Sequence, residues 1–295
     1  MMRAIVAITL AMSLLGIFTP AGQASTPTCG GLPATIVGTS GNDTLTGTDG
    51  PDVIVGLQGD DVIHGGGGSD YICGNKGNDT VYGENDPDNL LAGGNGNDKI
   101  YGGADNGEGD VLDGGAGNDV IDGGSTPGDF GDVVQYQDAP GPVDVNLDTG
   151  VATGDGTDSV SGIENVLGSN FGDTIVGGTS PIQGLQGADG NDYIKLTSNA
   201  NFVIGGNGVD TIKITPGVYS DAGLTGGPGN DVFIGSAAGD TMNIQDDSGN
   251  ETAYGRGGND TINMTDGQPG DTANGQDGTD TCNVDTGDQT LNCEN

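Results

Sequence analysis

Residues 38–82 can be written as five consecutive lines of nine: GTSGNDTLT, GTDGPDVIV, GLQGDDVIH, GGGGSDYIC and GNKGNDTVY. Every line opens on glycine, has glycine again in fourth place, aspartate in sixth and an aliphatic residue in eighth. Asp43, Asp52, Asp61, Asp70 and Asp79 follow one another without a slip, and Leu45, Ile54, Ile63, Ile72 and Val81 keep the same step. A short, fixed period of this kind is the mark of a solenoid.

The end of each line, such as Asp43-Thr44-Leu45-Thr46, reads as a very short strand whose middle side chain points inward. The glycine-rich residues before it must turn sharply, and glycine reaches the positive φ that such a turn needs. Two lines then make one coil. Asp43, Asp61 and Asp79 are expected to stack on one edge, and Asp52, Asp70 and Asp88 on the other. Stacked strands lie about 4.8 Å apart. Two carboxylates at that distance repel by about 0.9 kcal/mol even in a water-like dielectric. A whole ladder of them requires a cation. Calcium suits the gap, because it takes about 6–8 oxygens at about 2.3–2.6 Å and accepts carboxylates and backbone carbonyls alike. Each ion is expected between two stacked turns.

The lines match the template G-G-x-G-x-D-x-U-x, and the chain resembles the RTX, or haemolysin-type, calcium-binding repeat family. The resemblance implies an all-β, right-handed parallel β-roll or β-helix solenoid that holds several calcium ions. Many members leave the cell without an N-terminal signal. This chain instead begins with a short basic start, an apolar run over Ala4–Phe18 and small residues at Gly22-Gln23-Ala24. That pattern predicts a signal peptide over 1–24, cleaved after Ala24.

Beyond Tyr82 the step continues with slips. GENDPDNLL (83–91) reads as a repeat followed by an extra Ala92, 102–113 carries three extra residues, and 114–122 is regular. Residues 123–157 break the pattern, and Val143-Asp144-Val145-Asn146-Leu147 alternates as a longer strand or hairpin would. A weaker second array follows, with half-coils lacking good ligands after Asn201 and Ala222. The expected organisation is a cap over 25–37, a first roll over 38–135, an irregular β segment over 136–167, a second roll over 168–283 and a cap over 284–295. Candidate metal ligands are Asp43, Asp52, Asp61, Asp70, Asp79, Asp88, Asp98, Asp110, Asp119, Asp173, Asp192, Asp210, Asp231, Asp240, Asp260 and Asp280.

Composition narrows the function. Six basic residues against 43 acidic ones, for a net charge of −37, disfavour nucleic acid and anionic membranes as partners. The Ala4–Phe18 run is too short for a comfortable membrane span, and no other apolar segment is long enough to cross a bilayer. With 4% aromatics and no Trp, an ordinary globular core is not expected. Four cysteines in an exported chain suggest two disulfides. Of the three possible connectivities, position favours Cys29–Cys73 and Cys282–Cys293. His64, the single histidine, sits at an outward strand position and reads as solvent-facing. Outward Val53, Val55 and Tyr71 form an apolar strip that the N-terminal segment is expected to cover.

The expected function is that of a secreted, monomeric calcium-binding protein with a non-enzymatic structural or surface-interaction role. The alternative is a polysaccharide-acting lyase or epimerase, which rests on the analogy that other β-solenoids host such activities.

Overall fold

The computed structural model describes residues 26–294, apart from 86–88, 105–108, 126–130, 179–181, 199, 217–222 and 246–248. The signal-like start and Asp88 lie outside the described residues. Every regular element among those described is a β-strand. No helix of the described residues is long and apolar enough to cross a membrane.

Two long sheets face each other. Among the described residues the first has 13 strands, from Ile36–Val37 to Thr281–Val284, and the second has 15, from Thr44–Thr46 to Gln289–Leu291. Through the repeats the chain alternates between them, so each strand pairs in parallel with the one a full coil away. Ile54 pairs with Ile72 in the first sheet, and Ile63 with Val81 in the second.

The alternation of side chains explains why this sequence closes into a roll. In Tyr71–Lys76, Ile72 points inward and is fully buried, while Tyr71 and Cys73 flank it on the outer face. The core is therefore two facing columns of aliphatic side chains. Ile54, Ile72, Leu91 and Leu112 stand in one column, and Ile63, Val81, Ile100 and Ile121 in the other, each at 0% exposure. Each such side chain contributes on the order of 2 kcal/mol by burial. Through these coils each strand adds one medium-sized residue, while later strands such as Tyr193–Leu196 and Thr261–Met264 add two, and Phe233 is a fully buried aromatic.

Extra residues leave the strands stacked. Asp70 and Asn89 are 19 residues apart and Asn89 and Asp110 are 21, yet Ile72, Leu91 and Leu112 remain paired in register. One boundary differs from the sequence reading by a single residue. Leu91, not Leu90, is the inward residue of its strand, and Ala92 pairs with Cys73 as an ordinary strand residue. Asn89 takes the place on the ladder expected for Asp88. Two adjacent leucines made either register plausible, and the core accepts only one of them.

The irregular middle is an arm folded into the second sheet. Asp144–Asn146, Val151–Thr153 and Thr157–Ser161 form an antiparallel meander. Its last strand pairs in parallel with Val120–Ser125, and its first with Thr174–Val176. Val145, Ala152 and Val160 are its buried inward residues. The first sheet passes directly from Val133–Gln135 to Asn165–Leu167.

Both ends are stapled. A hairpin of Thr28–Cys29 and Leu32–Pro33 is tied to the first sheet by the Cys29–Cys73 disulfide, with Cα atoms 5.7 Å apart. Under it the outward Val55 is only 1% exposed. Gly30 turns the hairpin at φ +56°, and a Cβ there would come within 2.8 Å of the Tyr71 ring. At the other end Cys282, inward in the last strand of the first sheet, is joined to Cys293.

Candidate metal sites

The sixth-place residues occupy the corners where a turn enters a strand, and they form two ladders along the roll. On the edge that leads into the second sheet, Asp61 Oδ1 accepts the Asp43 amide at 2.8 Å. Asp79 takes the Asp61 amide at 2.8 Å, Asp98 that of Asp79 at 2.7 Å and Asp119 that of Asp98 at 2.8 Å. On the opposite edge Asp70 takes the Asp52 amide, Asn89 that of Asp70, and Asp110 that of Asn89, each at 2.9 Å. Beyond the arm, Asp192, Asp210 and Asp231 continue one ladder from Asp173, at 2.7–2.8 Å. Asp240, Asp260 and Asp280 continue the other, and Glu294 closes on the Asp280 amide. In every one of these links the acceptor belongs to the later coil.

Each accepting carboxylate in these links thus spends one oxygen on the coil before it. The second oxygen divides the rungs into two kinds. At Asp43 it accepts the Thr39 amide at 2.6 Å and the Thr39 hydroxyl at 2.9 Å, and Asp52 is held in the same way by Thr48. Asp173 takes the amide and hydroxyl of Ser169, and Asp240 those of Ser236. The four capped rungs open their runs: Asp43 and Asp52 at the N-terminal end, Asp173 after the arm, and Asp240 after the half-coils. At Asp61, Asp79, Asp98, Asp119, Asp192, Asp210, Asp260 and Asp280, by contrast, Oδ2 is buried with no hydrogen-bond donor.

The backbone of the second repeat position accounts for the division. Where Thr or Ser stands there, its N–H and hydroxyl turn onto the carboxylate. Before bare rungs this residue is left-handed, at φ +85° for Leu57, +77° for Asn75, +84° for Ala188, +79° for Arg256 and +69° for Gln276. For a residue with a Cβ that conformation costs roughly 1–2 kcal/mol. Strain of this kind persists where the surrounding structure enforces it and is concentrated at functional positions.

Beside the bare oxygens of Asp61, Asp79, Asp192, Asp210, Asp260 and Asp280 lies a carbonyl. A Cβ added to Gly56 would sit 2.5 Å from Asp61 Oδ2 and 2.9 Å from the carbonyl oxygen of Gly74, one coil further on. Gly187 has the same neighbours in Asp192 and Gly205, and Gly255 in Asp260 and Gly275. The missing side chain at the first repeat position therefore leaves a small cradle lined by a carboxylate and a carbonyl. All its donors are oxygen, the set a hard cation such as calcium takes.

Stacking carboxylates out of water shifts their titration. Burial, reinforced by the charge of Asp61, pushes Asp79 up to about 6. Burial likewise takes Asp98 and Asp260 to about 6, and Asp119 and Asp192 to about 7. Asp52 goes the other way: burial alone would raise it, but the Thr48 and Thr35 hydrogen bonds hold it below the ordinary value. Capping does not always suffice: burial also raises Asp240 despite its Ser236 hydrogen bonds.

The roll also recruits rungs outside the candidate set. Asn89 is one, Asp132 accepts the Asp110 amide at 2.8 Å, and Glu164 accepts that of Asp132 at 3.0 Å. Asp158, at the end of the arm, accepts the Asp119 amide at 3.0 Å. Asp271 accepts the Glu251 amide at 3.0 Å. The nine-residue steps Glu164–Asp173, Glu251–Asp260 and Asp271–Asp280 are visible in the sequence. Asp158 had no such signal, since it lies 39 residues beyond Asp119. His64 stays on the outer face, its Nδ1 2.8 Å from Glu84 Oε1 and its ring stacked on Tyr82, which stacks on Tyr101.

No curated protein matches the chain. A family model, the RTX calcium-binding nonapeptide repeat in four copies, matches residues 37–72, 46–81, 64–90, 85–106, 107–125, 185–212, 224–243 and 244–263. These segments cover more than half of the sequence and contain all but one of the bare rungs described above. With its period, its parallel roll and its oxygen-lined turns in agreement, the chain belongs to the RTX calcium-binding nonapeptide-repeat family.

Proposed function

We propose that this is a secreted calcium-binding protein whose β-roll closes on meeting extracellular calcium, and that its role is structural or surface-interacting and not enzymatic. The observation that carries the reading is the row of buried carboxylate oxygens without a donor. Leaving a buried charge uncompensated costs several kcal/mol. A roll with many such groups needs a cation to be its stable form. Asp61, Asp79, Asp98, Asp119, Asp192, Asp210, Asp260 and Asp280 are the ligands by that observation; Asp70, Asp110 and Asp231 join them by their places on the ladders alone. Asp43, Asp52, Asp173 and Asp240 serve as capped first rungs.

Calcium bound in the cradles supplies the positive charge that the ladder lacks, so binding free energy becomes folding free energy. Where calcium is scarce the chain stays open; where it is abundant the ladders close. The signal-like start and the two disulfides support an oxidising, extracellular destination. Calcium titration of residues 25–295, followed by far-ultraviolet circular dichroism, tests the proposal. A cooperative gain of β signal is expected, and identical spectra in calcium and in chelator would reject it.

A further inference from the structure

The disulfides Cys29–Cys73 and Cys282–Cys293 staple the two ends of the roll. Between them, on the outer face of the second sheet, a different pair of reactive side chains is stacked from one coil to the next. Tyr82 and Tyr101 are register partners in the neighbouring strands Thr80–Glu84 and Lys99–Ala104. Their ring centroids lie 5.1 Å apart and their planes are inclined by 12°. That separation is close to the strand spacing of about 4.8 Å, so the backbone itself sets the stack.

The rest of the column leaves Tyr82 a single tyrosine neighbour. His64 covers its other face, with centroids 4.8 Å apart, and is itself held by Glu84 Oε1 at 2.8 Å. Asp122 follows Tyr101 in register. The other described tyrosines have no such partner. Tyr71 lies against the N-terminal hairpin at Gly30, and Tyr136 is buried. Tyr193 has Thr174 and Thr211 as register neighbours, and Tyr254 has Ile234 and Asn274. Tyr82–Tyr101 is the one tyrosine–tyrosine ring contact among the described residues. A phenol that gives up one electron and one proton becomes a radical, with spin on the ring carbons beside the C–O bond. In two parallel rings on neighbouring strands those carbons are brought together, and coupling becomes effectively unimolecular. Both rings are half-buried, which leaves an edge of each open to an oxidant. Their ring torsions are soft enough to turn into bonding contact.

We propose that Tyr82 and Tyr101 form an oxidative cross-linking site, which a haem peroxidase with hydrogen peroxide converts to an intramolecular dityrosine. Each phenol loses one electron and one proton. The two radicals join by a carbon–carbon bond between ring positions adjacent to the hydroxyls, and the hydrogens on those carbons move to the oxygens to restore two phenols. One hydrogen peroxide takes up the two electrons and two protons and leaves as two waters. The bond ties one coil to the next as a third covalent staple. It uses no rung of either ladder and requires no metal.

Residues 25–295 in calcium, at low protein concentration, are treated with a haem peroxidase and hydrogen peroxide. The product is read by dityrosine fluorescence, intact mass and fragment mass spectrometry. A monomer lighter by two hydrogens is expected, with residues 82 and 101 in one cross-linked fragment. Tyr82→Phe and Tyr101→Phe keep the stacked rings and should each cut this product by about tenfold or more, because no other tyrosine is held in place. Tyr193→Phe, on the same face, should leave the yield unchanged. An undiminished yield in Tyr82→Phe or Tyr101→Phe would overturn the proposal. So would cross-links found only between chains, or no product under conditions that couple free tyrosine. An equal yield in calcium and in chelator supports the site and counts against a roll that needs calcium to close.

Discussion

Replacing Asp79 by Asn separates the two jobs of a rung. The amide oxygen of Asn can still accept the Asp61 amide, as Asn89 does for Asp70 at 2.9 Å. What is lost is one negative charge between Asp61 and Asp98. With neighbouring rungs about 4.8 Å away, each repulsion is worth about 0.9 kcal/mol in a water-like dielectric. Removing both stabilises the metal-free roll by about 2 kcal/mol. In calcium the sign reverses, because the cradle beside Gly74 loses its anionic donor and binding there weakens by about tenfold, or about 1.4 kcal/mol. The assay is urea unfolding of Asp79→Asn and wild type, once in excess chelator and once in saturating calcium. Asp79→Asn should unfold at higher urea than wild type in chelator and at lower urea in calcium. A shift of the same sign in both conditions would refute the argument that the rung is an electrostatic liability redeemed by metal.

Three further outcomes follow from the same geometry. Carboxylates whose folded pKa is raised bind protons more tightly when folded, so the stability they contribute is complete below about 3.8 and is lost as pH rises through about 6 to 7. In chelator, circular dichroism should therefore show more roll at pH 4.5 than at pH 7.5, and calcium should abolish or invert that trend. Leu57→Gly relieves a left-handed leucine at φ +85° and should raise stability by about 1 kcal/mol in calcium and in chelator, with the number of bound ions unchanged. Opening the Cys29–Cys73 bridge as a double Cys→Ser variant removes a link spanning 44 residues. Its cost should be about 4 kcal/mol in thermal or urea unfolding, with increased dye binding at the uncovered Val55 and Tyr71.

Where the period is unbroken, the sequence was enough to place both the fold and the rungs. Asp61 and Asp79 stack as the step of nine requires, and Ile63 and Val81 face the core beneath them. Legibility failed where two registers cost the same in local terms. At Leu90-Leu91 only the packing of the finished roll decides, and it puts Asn89 on the ladder. It failed again at Asp158, because an antiparallel arm separates it from Asp119 in sequence while returning it to the next coil in space. The division between capped and bare rungs was written in the second repeat position all along. Thr39, Thr48, Ser169 and Ser236 differ from the residues at 57, 75 and 188 in carrying a hydroxyl that reaches the carboxylate. Reading that difference as chemistry needed the backbone torsions.

The ladder links have a polarity: the donor amide is always on the earlier coil and the accepting carboxylate on the later one. A chain that becomes available from its N-terminus therefore cannot finish a coil with what has already emerged. Each new coil brings the latch for its predecessor, and assembly proceeds like a zip with one direction of travel. The final latch is Glu294, on the Asp280 amide. Trimming the last few residues would leave that end open, whereas shortening the front leaves every later latch in place and costs instead the Cys29–Cys73 tie and the Asp43 and Asp52 carbonyls that accept from Val62 and Tyr71.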